Sequence, residues 1–168
     1  MTEKEFETFF KQYEKPLYNF AIRWVFSSAI AEEMVQEAFT KIWFKKESIK
    51  LETLQPLLFK TVQNQCINLL NRQKLKNKLL PLDIYPFTRG SSDSESELAS
   101  NEELLKIKTS LEKIPQKYRQ ILLLSYYGEF SYKEISEMLD IAEGTVASRK
   151  TRALGFLKDQ MMEAQDVI

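Results

Sequence analysis

Apolar residues recur at three- and four-residue steps from the first turns of the chain onward. Phe6, Phe9, Phe10, Tyr13, Leu17, Phe20 and Trp24 share one stripe, which predicts a first amphipathic helix. The stretch from Ala29 to Phe44 repeats the pattern with Met34, Val35, Ala38, Phe39, Ile42 and Trp43. Its other face is polar: Glu32, Glu33, Gln36, Glu37, Thr40 and Lys41. A third helix is expected from about Leu54 to Lys78, with Pro56 in the first turn, where a missing N–H costs little. Leu54, Leu57, Leu58, Thr61, Val62, Cys66, Leu69 and Leu70 are its expected inward positions. Aromatic stripes at this spacing read as helical core rather than as a cofactor box.

The periodicity stops at residues 81–100, where Pro81, Pro86 and Gly90 interrupt helix and a Ser/Asp/Glu run lacks apolar content. This divides the chain into a helical bundle over 1–80, a flexible acidic linker over 81–101 and a second helical unit over 102–168. Beyond the break, Glu102 to Ile114 and Gln116 to Tyr127 read as helices, the second stopping at Gly128. Ser131 with Glu134 three residues on forms a capping box at the head of a short helix carrying Ile135, Met138 and Leu139. Asp140-Ile141-Ala142 makes a turn, and a further helix turns Val146, Ala153, Leu154 and Leu157 inward. Two short helices about a tight turn are a helix-turn-helix. The fold class is therefore all-α: two small helical domains, the second containing a helix-turn-helix.

Composition narrows the chemistry. The chain is 43% hydrophobic and 29% charged, so it carries enough apolar material for packed cores. It has no histidine and one cysteine, Cys66, which removes Ser-His-Asp and Cys-His catalysis, His ligation and an internal disulfide. No glycine-rich phosphate loop or acid pair stands out, so neither catalytic residues nor a metal or cofactor is expected. No long apolar run and an acidic first turn point to a cytoplasmic protein outside the membrane. Formal charge balances at 24 basic and 24 acidic residues, but it lies in blocks. Lys41 to Lys78 holds nine basic residues against Glu47 and Glu52, whereas 81–103 holds six acids against Arg89. Such blocks suggest a polyanion-binding surface beside an acidic tether.

Two residue sets fit nucleic acid. On the third helix Lys60, Asn64, Asn68 and Asn71 form an outward stripe with Gln63 alongside. Asparagine is a mediocre helix former, and amides carry the donors and acceptors that suit exposed base edges. Arg72 and the alternating lysines after it supply charge for phosphates. On the last helix, the face opposite Val146 and Ala153 displays Ser148, Thr151 and Arg152, flanked by Thr145. Arg152 is the candidate for bidentate base contact, with Arg149 and Lys150 placed at the flanks for backbone phosphates.

Three segments then carry a resemblance: AEEMVQEAFTKIW at 31–43, LLFKTVQNQCINLLNRQK at 57–74, and the stretch 111–154 around the helix-turn-helix. In this order the chain resembles a bacterial RNA polymerase sigma factor of the extracytoplasmic-function group. The resemblance implies that 31–43 docks on the clamp helices of core RNA polymerase through Glu33, Gln36 and Glu37. It implies that 57–74 melts the minus-ten promoter element, with Lys60, Gln63, Asn64 and Asn68 on the strand-contacting face. It also implies that 143–154 reads the minus-thirty-five element, that the free protein is a monomer, and that an anti-sigma factor is a plausible partner. The chain departs from the family pattern at Leu57 (usually Trp), Gln63 (often Arg), Asn68 (often Asp), Asp140 (usually Gly), Ala142 and Ala147. These changes bear on promoter sequence and affinity. From the residues alone, two other readings stay open: a stand-alone helix-turn-helix regulator with an N-terminal sensing or dimerisation domain, and a helical adaptor.

Overall fold

A polar residue ahead of each amphipathic run sets where the helices begin. The computed structural model describes residues 1–79 and 95–166. Helix α1, Glu3–Val25, starts from a capping box. The Glu5 N–H donates to Thr2 Oγ1 at 3.2 Å, and the Thr2 N–H donates to the Glu5 carboxylate at 2.8 Å. The helix runs through Pro16 and ends at Phe26, a left-handed residue with φ 50°. Ser27 then caps α2, Ser28–Phe44, by accepting from the Ile30 N–H. A 3-10 turn, Leu51–Thr53, leads into α3, Leu54–Leu79. The second half consists of α4 (Glu95–Glu112), α5 (Gln116–Tyr126), α6 (Tyr132–Leu139) and α7 (Glu143–Asp166). No strand occurs among the described residues, so the architecture is all-α as expected.

One boundary differs from the sequence expectation. Helix α4 begins at Glu95, so residues 95–101 are helical where a linker was expected. Glu, Ala and Leu in that stretch are good helix formers, and acids favour a first turn. The remainder of the expected linker, residues 81–94, lies outside the described residues.

In the first half α1, α2 and α3 pack on one another around Leu17, Phe20, Trp24, Ala38, Leu54, Leu58, Val62 and Cys66, all essentially solvent-free. In the second half α5 and α6 pack on α7 around Ile121, Leu124, Ile135, Val146 and Ala153. The two halves also meet. Helix α5 touches α1 and α6 touches α3, and the buried residues of both form one cluster. The run Ile121, Leu122, Leu123 and Leu124 is buried throughout. A helix that is apolar on more than one face has to be covered on more than one face, and α5 lies between its own domain and α1.

The turn that follows α5 is tight. A Cβ on Gly128 would lie 2.4 Å and 2.5 Å from atoms of the Phe130 ring and 2.8 Å from the Leu124 carbonyl oxygen. Gly128→Ala therefore has to displace a buried ring or the helix end, and is expected to destabilise the chain by about 1–3 kcal/mol. Urea unfolding of the two proteins side by side measures this. Equal midpoints would show that Phe130 moves aside freely.

Candidate nucleic-acid and polymerase interfaces

Helix α2 divides its residues cleanly. Ala31, Met34, Val35, Ala38, Phe39 and Ile42 are buried, which turns Glu33, Gln36 and Glu37 to solvent. The Lys41 ammonium donates to the Glu37 carboxylate at 2.6 Å, and this bond holds the carboxyl below its ordinary range. Both partners are about half exposed, so the pair adds only a few tenths of a kcal/mol, roughly the value of an i,i+4 surface pair. The stripe therefore remains two carboxylates and an amide available to a partner. Beside it, Phe6, Phe10, Phe39, Trp43 and Phe44 line a shallow groove of about 370 Å³ between α1 and α2. Phe44 is 82% exposed.

On α3 the residues expected to face outward do so with one exception. Lys60, Asn64, Asn68, Asn71 and Arg72 are exposed, but Gln63 is fully buried. The reason is angular. Gln63 stands about 100° around the helix from Val62, against about 60° for buried Phe59 and about 200° for Asn64. It shares the Phe59 side of the helix, and neither of its amide atoms has a hydrogen-bond partner. Leu57 fails in the opposite sense. It was expected inward but lies about 220° from Val62, among the asparagines, and is 39% exposed. Cys66 is buried, and burial pushes its thiol up to about 12 although the Arg119 charge opposes the shift.

The helix-turn-helix forms as expected. Ser131 and Glu134 make the capping box, and Asp140 closes α6 in the left-handed conformation with φ 54°. Ser148, Thr151 and Arg152 are exposed on α7, while Thr145, Arg149 and Lys150 are partly buried. Lys150 is not a free flank cation. It points about 40° from Val146 on the helical wheel, and its ammonium donates to Ser125 Oγ at 2.8 Å. Arg152 donates to the Tyr118 hydroxyl at 3.2 Å, which holds that phenol below its ordinary range. Leu154, expected inward, sits about 80° from Val146 and is 40% exposed.

The contact between the two halves was not foreseen. Arg119, 5% exposed, donates to the carbonyls of Arg23 and Trp24 at the end of α1, the second at 3.1 Å. Its guanidinium also lies 4.7 Å from the centre of the Trp24 ring. A cation on the last carbonyls of a helix satisfies orphan acceptors and meets the negative end of the dipole. Desolvation lowers the guanidinium to about 10, still charged at neutral pH. Around it, Arg23 Nε donates to the Tyr127 hydroxyl at 2.9 Å and Gln55 to the Gly128 carbonyl at 3.4 Å. Gln116 donates to Asn71 Oδ1 at 3.1 Å, and the Phe59 and Phe130 rings meet edge to face at 5.3 Å. One sequence signal pointed here: a lone arginine ahead of four consecutive apolar residues in a short helix.

Known proteins match these two surfaces separately and in order. Residues 9–76 match the family model for Sigma-70 region 2, and residues 104–157 match that for Sigma-70, region 4. The RNA polymerase sigma factor SigZ of Bacillus subtilis is 28% identical over 158 residues, covering 94% of this chain and 86% of its own. The ECF RNA polymerase sigma factor SigL of Mycobacterium tuberculosis is 29% identical over 150 residues, covering 88% of this chain and 83% of its own. Among solved structures, the sigma factor RpoE of Bartonella quintana, crystallised with the anti-sigma factor NepR, aligns with a TM-score of 0.72 at 24% identity. That alignment covers 95% of this chain and 98% of the other. CnrH, solved with the cytosolic domain of CnrY, aligns with the same TM-score at 18% identity, over 97% and 90% of the two chains. With a region 2 carrying an acidic stripe and an amide stripe, and a region 4 carrying the helix-turn-helix, the chain belongs to the extracytoplasmic-function group of the sigma-70 family of RNA polymerase sigma factors.

Proposed function

We propose that this sigma factor directs promoter-specific initiation through three separate surfaces of its two regions. Glu33, Gln36 and Glu37 meet the clamp helices of core RNA polymerase, where a carboxylate-rich face suits a basic partner and sets register. Lys60, Asn64, Asn68, Asn71 and Arg72 hold the unpaired strand of the minus-ten element, with Gln63 joining them once it is uncovered. Thr145, Ser148, Arg149, Thr151 and Arg152 meet the minus-thirty-five element in the major groove, Lys150 being committed to Ser125 in the free chain. The observation that carries the reading is the order of the two regions, each bearing an exposed polar face at helical spacing. The chain acts as a binding subunit without catalysis of its own and works in the cytoplasm, where the polymerase is. No described helix is long and apolar enough to cross a membrane. An anti-sigma factor, the kind of partner bound in the two solved neighbours, is the natural antagonist.

The test is to mix the full chain with bacterial core polymerase, isolate the complex by size exclusion and assay initiation across a genomic promoter library. Co-elution with initiation at a restricted set supports the reading. Tight binding to a palindrome without co-elution supports the stand-alone regulator instead. Within that assay Arg152→Ala is expected to cost about 1–3 kcal/mol at one position of the minus-thirty-five element. Arg152 swings off Tyr118 to make that contact. A loss of equal size on every sequence would reassign it to a phosphate.

A further inference from the structure

A helix that reads bases has to meet the groove at one rotation about its own axis, because neighbouring side chains point about 100° apart. Val146 and Ala153 seat α7 on α5 and α6, but both are small and their contacts have no direction. One polar side chain joins them on the seated face. Lys150 stands about 40° from Val146 and about 160° from Ser148, so it springs from the back of the helix, away from the residues that face the groove. Its ammonium donates to Ser125 Oγ at 2.8 Å. It also lies 5.6 Å from the centre of the Tyr126 ring and 5.3 Å from that of Tyr132.

These holders come from both sides of the turn between α5 and α6. Ser125 and Tyr126 end α5, and Tyr132 begins α6. Between them Gly128 has no room for a side chain and Glu129 is left-handed at φ 57°, which fixes the shape of the turn. Among the described residues Lys150 makes no ion pair, so its charge is held by a hydroxyl and two ring faces. Such contacts act at short range and in set directions, whereas an aliphatic side chain covers the same seam without fixing an angle. We propose that Ser125, Tyr126 and Tyr132 form a cage for the Lys150 ammonium that stays closed on DNA and sets the rotation at which Ser148, Thr151 and Arg152 meet the minus-thirty-five bases. Resting on the sigma-factor reading of region 4, this makes Lys150 a positioning residue for base reading and leaves the flanking phosphates to Arg149.

The test uses holoenzyme reconstituted from the full chain and core polymerase. Its affinity is measured for a promoter recovered from the genomic library and for the same promoter with the minus-thirty-five element scrambled. The ratio of the two affinities reads base discrimination, since a loss of folded protein lowers both equally. Lys150→Met, similar in length, is expected to lower that ratio about tenfold, the worth of one misplaced base contact. Ser125→Ala is expected to lower it too, and the double variant to be no worse than Lys150→Met alone, because both changes remove the same bond. Salt dependence separates the cage from a phosphate contact. The logarithmic slope of affinity against salt is expected to keep its wild-type value in Lys150→Met, whereas a lost phosphate contact lowers it by about 1. An unchanged ratio, or a slope lowered by that amount, overturns the cage. Wild-type holoenzyme that binds both promoters alike fails the minus-thirty-five reading itself, and the cage then has no bases to position. Discrimination by wild type that Lys150→Met retains fails the cage alone.

Discussion

Replacing Glu33, Gln36 and Glu37 together by alanine is expected to weaken binding to core RNA polymerase by on the order of a hundredfold. All three side chains are exposed on one face of α2, whose opposite face is core. Alanine is the best helix former, so the helix should tolerate the change, with loss of only the weak Glu37–Lys41 pair. Each lost contact to a basic partner surface is worth roughly 1 kcal/mol, and three such losses compound to about a hundredfold. Fluorescence anisotropy of labelled chain against core polymerase reads the affinity, and circular dichroism checks that helix content holds. Wild-type affinity in the triple variant would move the docking surface elsewhere, with the groove around Phe44 the next place to look. Loss of affinity with loss of helicity would mean that the face supports the fold.

Phe59→Ala is expected to have the largest effect on stability, about 3–5 kcal/mol. Phe59 is 1% exposed and joins the two halves through its ring. It packs edge to face on Phe20 of α1 at 5.1 Å and on Phe130 at 5.3 Å. Truncation leaves a ring-sized void bounded by two other rings, neither of which fills it without abandoning its own contacts. Chemical denaturation followed at Trp24 measures the loss. Since Phe130 belongs to the turn before α6, the variant is also expected to loosen region 4 from region 2. A drop below about 1 kcal/mol would show that the site collapses readily onto the gap.

Much of this architecture was legible in the sequence because it rests on local rules. The stripe from Phe6 to Trp24, the Ser131 and Glu134 box and the turn at Asp140 each depend on neighbours within a few residues, and each forms as expected. Side-chain direction was less legible at the edges of stripes. Gln63, Leu57, Lys150 and Leu154 all sit at three- or four-step distances from core residues, yet their angles place them across the boundary between buried and exposed. The contact between the halves was the least legible part. Its donors are Arg119, Arg23, Gln55 and Gln116, and its acceptors include backbone carbonyls, which leave no pattern of their own in the sequence. Only the solid apolar run from Ile121 to Leu124 betrayed that α5 has two sides to cover.

Cys66 carries a consequence of a different kind. Its thiol lies at zero exposure and is pushed up to about 12 by burial, so almost none of it is thiolate in a living cell. Peroxides and electrophiles attack the thiolate, and do so where they can reach it. The chain also holds no histidine, the side chain whose charge ordinarily changes near neutrality. This thiol is thus out of reach of peroxides and electrophiles as long as the core around it holds, and no imidazole stands ready to change charge near neutrality.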